Sequence, residues 1–173
     1  DGNLVAVTRT INHFFGSCVV PEGTGFLLND QMSDFSLDPT SKNAVAGGKV
    51  PLSSMSPTFI LKNGRPVAVL GSPGGTRIIS SVVQVISNLI DFGMTLEEAI
   101  AAPRIGDDQK DLLIYESRIA PGTIAALQAM GHPVQAYDGW NRIMGSVNGC
   151  LIAEDGLLFG AADPRRDGFA LGR

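Results

Sequence analysis

Four polar segments of the chain carry side chains that chemistry could use, and all four read as turns. Thr8-Arg9-Thr10-Ile11-Asn12 closes a run that alternates apolar and polar residues. Asn29-Asp30-Gln31-Met32-Ser33-Asp34-Phe35 gathers amides, carboxylates and a hydroxyl. Pro51-Leu52-Ser53-Ser54-Met55-Ser56-Pro57 sets adjacent serines between prolines, and Gly71-Ser72-Pro73-Gly74-Gly75 stands directly before a helical pattern. Taken singly, each fits a solvated turn, because these are the residues that turns select. The glycine pair says most. Two adjacent glycines opening a helix leave backbone N–H groups uncovered with the helix dipole behind them, which suits a developing oxyanion. A tight strand-to-helix turn would call for the same pair.

Other chemistries lack their residues. The two histidines, His13 and His132, fall in a loop and just past a helix end. There is no His-x-x-x-His, no Cys-x-x-Cys and no carboxylate cluster at ligand spacing, so neither a metal nor a cofactor is expected. A Gly-x-Ser-x-Gly elbow is absent, and the glycine-rich stretch lacks the Gly-Lys-Ser/Thr ending of a phosphate loop. The net charge of -4 over 173 residues argues against nucleic acid as a partner and offers no cationic face to a membrane. No apolar run reaches the ~18 residues of a membrane span. Cys18 and Cys150 are too few for a disulfide scaffold and are expected to be small buried residues.

The elements that must position these segments follow from periodicity. Leu4 to Ile11 alternates and is rich in Val and Thr, which predicts a strand, and Phe26 to Leu28 predicts a short one. Residues 34–50 are polar and bear Gly and Pro, hence a loop. Thr58 to Lys62 and Pro66 to Leu70 flank Asn63-Gly64, a hairpin signature. Apolar residues at helical spacing predict a helix from Arg77 to Phe92. Thr95 with Glu98 forms a capping box opening a second helix, which must stop near Pro103. A third runs from Pro121 to Met130. Strands are expected at Leu112 to Tyr115, Val134 to Tyr137, Gly145 to Ala153 and Leu157 to Gly160. The order implies one α/β domain over residues 1–173, with antiparallel pairing and helices covering a sheet.

Taken together and in order, the four segments resemble the small, C-terminal subunit of the γ-glutamyltransferases, N-terminal-nucleophile hydrolases. The resemblance runs from Asp1-Gly2-Asn3 through Ala161-Ala162-Asp163-Pro164-Arg165, with Ala101-Ala102-Pro103-Arg104 in support. It implies a four-layer αββα sandwich shared with a large N-terminal subunit cut from the same precursor, and an exported, periplasmic or secreted, enzyme. It implies that Gly74 and Gly75 form the oxyanion hole. Ser53 and Ser54 hold the substrate α-carboxylate, and Asn12, Gln31 and Asp34 grip its α-amino group. The Thr10 hydroxyl bonds to the nucleophile, with Thr8 in support on the same strand face. A γ-glutamyl donor has a zwitterionic α-carbon, so such a site needs an anionic acceptor and hydroxyl donors.

Two departures from the family pattern stand out. The nucleophilic N-terminal Thr would lie roughly nine residues, one strand's length, before Asp1, so the chain is expected to lack its first strand. The connection from Asp34 to Pro51 is short where many members carry a pocket lid. The resemblance therefore implies cleavage of γ-glutamyl amides such as glutathione, by hydrolysis or by transfer to amines. A glutaryl or cephalosporin-type acylase of the same superfamily is the competing reading, and an inactive structural subunit is a third. The residues chosen for a free amino-acid head group favour the first.

Overall fold

The computed structural model describes residues 2–107 and 111–172. The chain divides into two compact units. One is the segment Arg9–Ser54, and the other joins Asp1–Thr8 to Met55–Arg173.

The larger unit is a mixed α/β structure with two sheets. It begins with the predicted hairpin, β1 (Thr58–Lys62) and β2 (Arg65–Gly71). Asn63 and Gly64 both take positive φ, 54° and 78°, as a tight two-residue hairpin turn requires. The register shifts between Ile60 and Leu61, where Leu61 faces Pro66, a residue with no N–H to give the ladder. A 3-10 turn over Gly75–Arg77 leads into α1 (Ile78–Ile90), so the helix begins one residue later and ends two earlier than its periodicity implies. Then come α2 (Leu96–Ala101), β3 (Ile105–Asp107), β4 (Leu113–Glu116), α3 (Pro121–Ala129) and β5 (Val134–Tyr137). β6 (Asn148–Ile152) and β7 (Leu158–Ala161) complete the order.

The four-stranded sheet has the order β1-β2-β6-β7 and is antiparallel throughout. The smaller sheet, β3-β4-β5, is not. β4 and β5 run parallel across α3, a crossover that parallel neighbours need. Helices α1 and α2 cover one face of the larger sheet. Leu70, Ile78, Val82, Val85, Leu96, Ala99, Ile100 and Val147 form the core, with Ile60, Leu151 and Ala161 packed against it. The capping box forms as expected: Thr95 Oγ1 accepts the Glu98 N–H and Glu98 Oε2 accepts the Thr95 N–H.

Three expectations need correction. Leu4 to Ile11 carries no strand, although its burial alternates, with Leu4, Ala6 and Thr8 half-buried and Val5 and Val7 exposed. A period of two fixes two faces but supplies no strand neighbour, and the backbone bond from the Asp30 N–H to the Ile11 carbonyl at 3.2 Å makes no ladder. Phe26 to Leu28 is likewise not a strand. It is tied by single bonds, Leu28 N–H to the Val19 carbonyl and Ser17 N–H to the Leu28 carbonyl. Cys18 and Cys150 are free and exposed, not buried. Cys18 sits in a turn at φ 58°. Cys150 alternates with Leu151, which takes the core side of β6.

Candidate active site

Within Arg9–Ser54, the predicted head-group residues are joined by their own hydrogen bonds. Asn12 adopts φ 73°, a left-handed conformation that asparagine tolerates better than most residues. Its backbone N–H donates to Thr10 Oγ1 at 2.8 Å, which fixes the turn. Its side-chain amide donates to Ser33 Oγ at 2.8 Å and to Asp34 Oδ1 at 3.1 Å. Gln31 Nε2 donates to the other Asp34 oxygen, Oδ2. Two neutral amides therefore hold a carboxylate without cancelling its charge, which leaves it an acceptor for a cation. Gln31 and Asp34 sit on a 3-10 turn, Gln31–Asp34, and the Asn29 side chain accepts the Gln31 N–H at 3.0 Å.

A second pair steadies the same turn. Asp30 accepts the His13 N–H through Oδ1 at 3.0 Å and contacts the His13 ring through Oδ2 at 2.7 Å. The His13 N–H leads the effects that hold the Asp30 carboxyl below its ordinary range. Ser53, exposed, and Ser54, half-buried, end this unit. Leu52, just before them, donates its N–H to Asn43 Oδ1 at 3.1 Å, and Asn43 Nδ2 donates to the Asp34 carbonyl at 2.7 Å. Thr10, Asn12, Gln31 and Asp34 are thus brought together directly, and the serine segment joins them through Asn43.

The larger unit contains the glycine turn. Gly74 has φ 139° and Gly75 φ 56°, values that side-chain-bearing residues avoid. The two are needed for different reasons. A Cβ on Gly74 would lie 3.0 Å from the Cα of Gly145, whereas a Cβ on Gly75 would meet nothing within 4 Å. Gly145 (φ 77°) is itself hemmed in, since a Cβ there would stand 2.5 Å from Ser81 Oγ. Its neighbours are pinned: Ser72 Oγ accepts the Ser146 N–H at 3.0 Å, and Ser81 Oγ lies 2.8 Å from the Met144 carbonyl. Thr8, in this same unit, has its hydroxyl buried, and a Cβ on Gly71 would stand 3.6 Å from it.

Behind this turn lies a buried ionic network. The last carbonyls of α2 have no partners within the helix. Arginines supply them: Ile100 O accepts from Arg104 Nη2 and Arg165 Nη1, both at 2.9 Å, and Ala101 O from Arg118 Nη1 at 2.9 Å. Ala102 O accepts from Arg165 Nη2 at 2.7 Å. The charges are balanced by two fully buried carboxylates. Glu116 pairs with Arg165 at 2.6 Å and Arg118 at 2.8 Å, and Asp163 pairs with Arg104 at 2.7 Å and Arg165 at 3.1 Å. Arg118 also stacks on Trp140, 3.6 Å from the ring centroid. Burial works against the Glu116 charge, but bonds from Arg165 and from backbone N–H groups prevail and hold its carboxyl below the ordinary range. Burial lowers the Arg104 guanidinium despite Asp163. Arg104 Nη1 then donates to the Met144 carbonyl at 3.0 Å, which links the network to the loop against Gly74.

A family model described as gamma-glutamyltranspeptidase matches residues 1–173. The chain belongs to the gamma-glutamyltranspeptidase family. It is 43% identical over 176 residues to the glutathione hydrolase proenzyme of Escherichia coli (strain K12), covering 95% of this chain and 30% of that protein. It is 41% identical over 167 residues to an acylase ACY 1 proenzyme of Pseudomonas sp. (strain SE83), covering 96% of this chain and 29% of that protein. The chain thus spans about 30% of the length of these relatives. The structure of a mutant gamma-glutamyltranspeptidase from Helicobacter pylori superposes with a TM-score of 0.87 at 40% identity, covering 95% of each chain. The fold is therefore that of the N-terminal-nucleophile hydrolases.

Two contributors to the cluster are not marked by sequence: Ser33, which accepts from the Asn12 amide, and Asn43, which donates to the Asp34 carbonyl. Nothing in their spacing marks them, because the contacts depend on how the loop closes. Arg104, Asp163 and Arg165 belong to the segments that carry the family resemblance, and spacing alone gives them no role. Charged residues in weakly polar surroundings late in the chain were the available signal, since buried charges must be paired. Among the described residues no group of His, Cys, Asp and Glu could hold a metal ion. No helix of the described residues is long and apolar enough to cross a membrane.

Proposed function

We propose that this chain is the small subunit of an enzyme that cleaves γ-glutamyl amides through a γ-glutamyl-enzyme intermediate. The observation that carries the reading is the Asp34 carboxylate held by the Asn12 and Gln31 amides. A charge oriented in this way fits the α-ammonium of a free amino-acid head group. Ser53 and Ser54 supply hydroxyl donors for its α-carboxylate. In the attack on the γ-carbonyl, the C=O π pair moves onto oxygen, and backbone N–H groups of the Gly74-Gly75 turn stabilise that oxyanion. Collapse expels the amine with a proton and leaves the acyl-enzyme, which water or a second amine then releases. The nucleophile is a threonine at the mature N-terminus, its α-amino group acting as base, and the Thr10 hydroxyl bonds to it.

On this reading the working enzyme pairs the chain with a large subunit from the same precursor, acts on small γ-glutamyl donors and is exported to the periplasm or beyond. The proenzyme names of the relatives support the shared precursor. The acylase relative keeps one competitor in view, a glutaryl-type acylase. The full-length precursor, matured and assayed with γ-glutamyl and glutaryl anilides, separates the two. A clear preference for the γ-glutamyl donor is expected, and a preference for the glutaryl donor would replace the proposal with the acylase.

A further inference from the structure

Asn43 stands midway between the two arms of the head-group cluster, nine residues after Asp34 and nine before Leu52. One planar amide serves both arms. Its Nδ2 donates to the Asp34 carbonyl and its Oδ1 accepts the Leu52 N–H. The backbone beneath it is also held. The Asn43 carbonyl accepts the Ser36 N–H at 2.9 Å, and its own N–H donates to Ser41 Oγ at 3.1 Å. Ser36 and Ala44 form a parallel bridge beside it. The amide is therefore a fixed plate within a loop that has no other regular structure, and its two ends set the distance from Asp34 to the Leu52-Ser53-Ser54 backbone.

Only asparagine meets these needs at this length. Aspartate keeps the size but loses the donor and turns an anion toward the Asp34 carbonyl, and serine is too short to reach both sides. Such a brace has a chemical use. The ammonium and carboxylate of an amino-acid head group sit on one carbon at a fixed spacing, so a site that grips both must fix the spacing of its own two arms. A donor without the amino group draws on one arm only. We infer that Asn43 is a positioning residue for head-group specificity, which holds the ammonium-binding carboxylate and the carboxylate-binding serines in register. The inference rests on the proposed γ-glutamyl reading.

The test uses the full-length precursor and the enzyme matured from it. Asn43→Asp and Asn43→Ala are assayed beside wild type with γ-glutamyl anilide and glutaryl anilide. Loss of the brace is expected to raise KM for the γ-glutamyl donor by about three- to tenfold, the scale of one net hydrogen bond. The kcat should change by less than about threefold, since uniform binding and not transition-state binding is lost. KM for the glutaryl donor should move much less. Equal KM losses for both donors, or an unchanged γ-glutamyl KM, would overturn the assignment. Amide hydrogen exchange on the unprocessed precursor provides a readout free of activity and of maturation. Faster exchange at Leu52 in Asn43→Ala, which removes the acceptor of its N–H, supports the brace, and unchanged exchange there overturns it. A wild-type enzyme inactive on γ-glutamyl donors would instead refute the proposed function, and the exchange result would still decide the brace.

Discussion

At the scale of single residues, the carboxylate of Asp34 and the glycines of the turn make separable predictions. Both Asp34 oxygens already accept from amides, so Asp34→Asn must turn an NH2 group toward one of those donors and also removes the charge. The γ-glutamyl kcat/KM should fall by roughly tenfold or more, as for a lost charge-assisted bond. A glutaryl donor should lose far less, and equal losses in paired kinetic assays would count against the ammonium assignment. For Gly75, the absence of any atom within 4 Å of a built Cβ means that a substitution acts through the backbone, not through a clash. Valine is poorly tolerated at φ 56°, so Gly75→Val should rotate the peptide away from the oxyanion. A loss of about 10²–10³ in kcat with little change in KM is expected. An unchanged kcat would remove the turn from the chemistry. The segments that hold these residues stood out in the sequence because turn chemistry and polar clustering are local, whereas the roles given to the residues came from the family resemblance. Asn43 did not stand out, because its partners are created by loop closure.

The elements owe much to local chemistry and something to burial that sequence conceals. Asn63-Gly64 and Thr95-x-x-Glu98 announced a hairpin and a helix start because each requirement is met within four residues. Pro103 marked where α2 stops, but the strand β3 and the partners of the last α2 carbonyls were not legible, since they depend on contacts far along the chain. The C-terminus of α2 is satisfied by Arg104, Arg118 and Arg165, and these by Glu116 and Asp163. Breaking a buried pair by removing one partner typically costs about 3–5 kcal/mol. Glu116→Gln should cost stability on that scale and loosen the loop around Gly145 through the shared arginines, measured by urea unfolding of the intact enzyme. The pH dependence has a definite sign. The Glu116 carboxyl is held below its ordinary range when folded, so the unfolded chain binds the proton first as pH falls. Its contribution is complete above the unfolded pKa, about 4.3, and drains away as pH drops through the lower folded value. Unfolding curves at neutral pH and near pH 3 should therefore diverge in wild type and converge in Glu116→Gln. A variant as acid-sensitive as wild type would show that other carboxylates set the slope.

At the scale of the whole molecule, the four-stranded sheet of the larger unit carries exposed apolar side chains on the face away from α1 and α2. Ile60, Leu70, Leu151 and Ala161 point into the core beneath α1 and α2. Alternation along the strands therefore turns Phe59, Cys150, Ile152 and Leu158 to the opposite face of the sheet. Phe59 and Leu158 are 46% and 72% exposed, and Val5 and Val7 of the same unit are 77% and 75% exposed. The edge strands β1 and β7 each have one neighbour among the described residues. Unpaired edges beside exposed apolar side chains are templates for association. Burying each such side chain is worth roughly 1.5–3 kcal/mol, a large fraction of the stability of an ordinary domain. The chain produced alone should therefore self-associate, whereas, on the proposed two-subunit reading, chain produced with the rest of its precursor should sediment as one species. Leu158→Ser should reduce self-association of the isolated chain and, on the proposed reading that a large subunit covers this face, weaken that assembly. Sedimentation velocity at micromolar concentration checks each point. A folded, monodisperse monomer of the wild-type chain alone would mean that this face needs no cover, and the large-subunit contact would then have to be sought elsewhere on the surface.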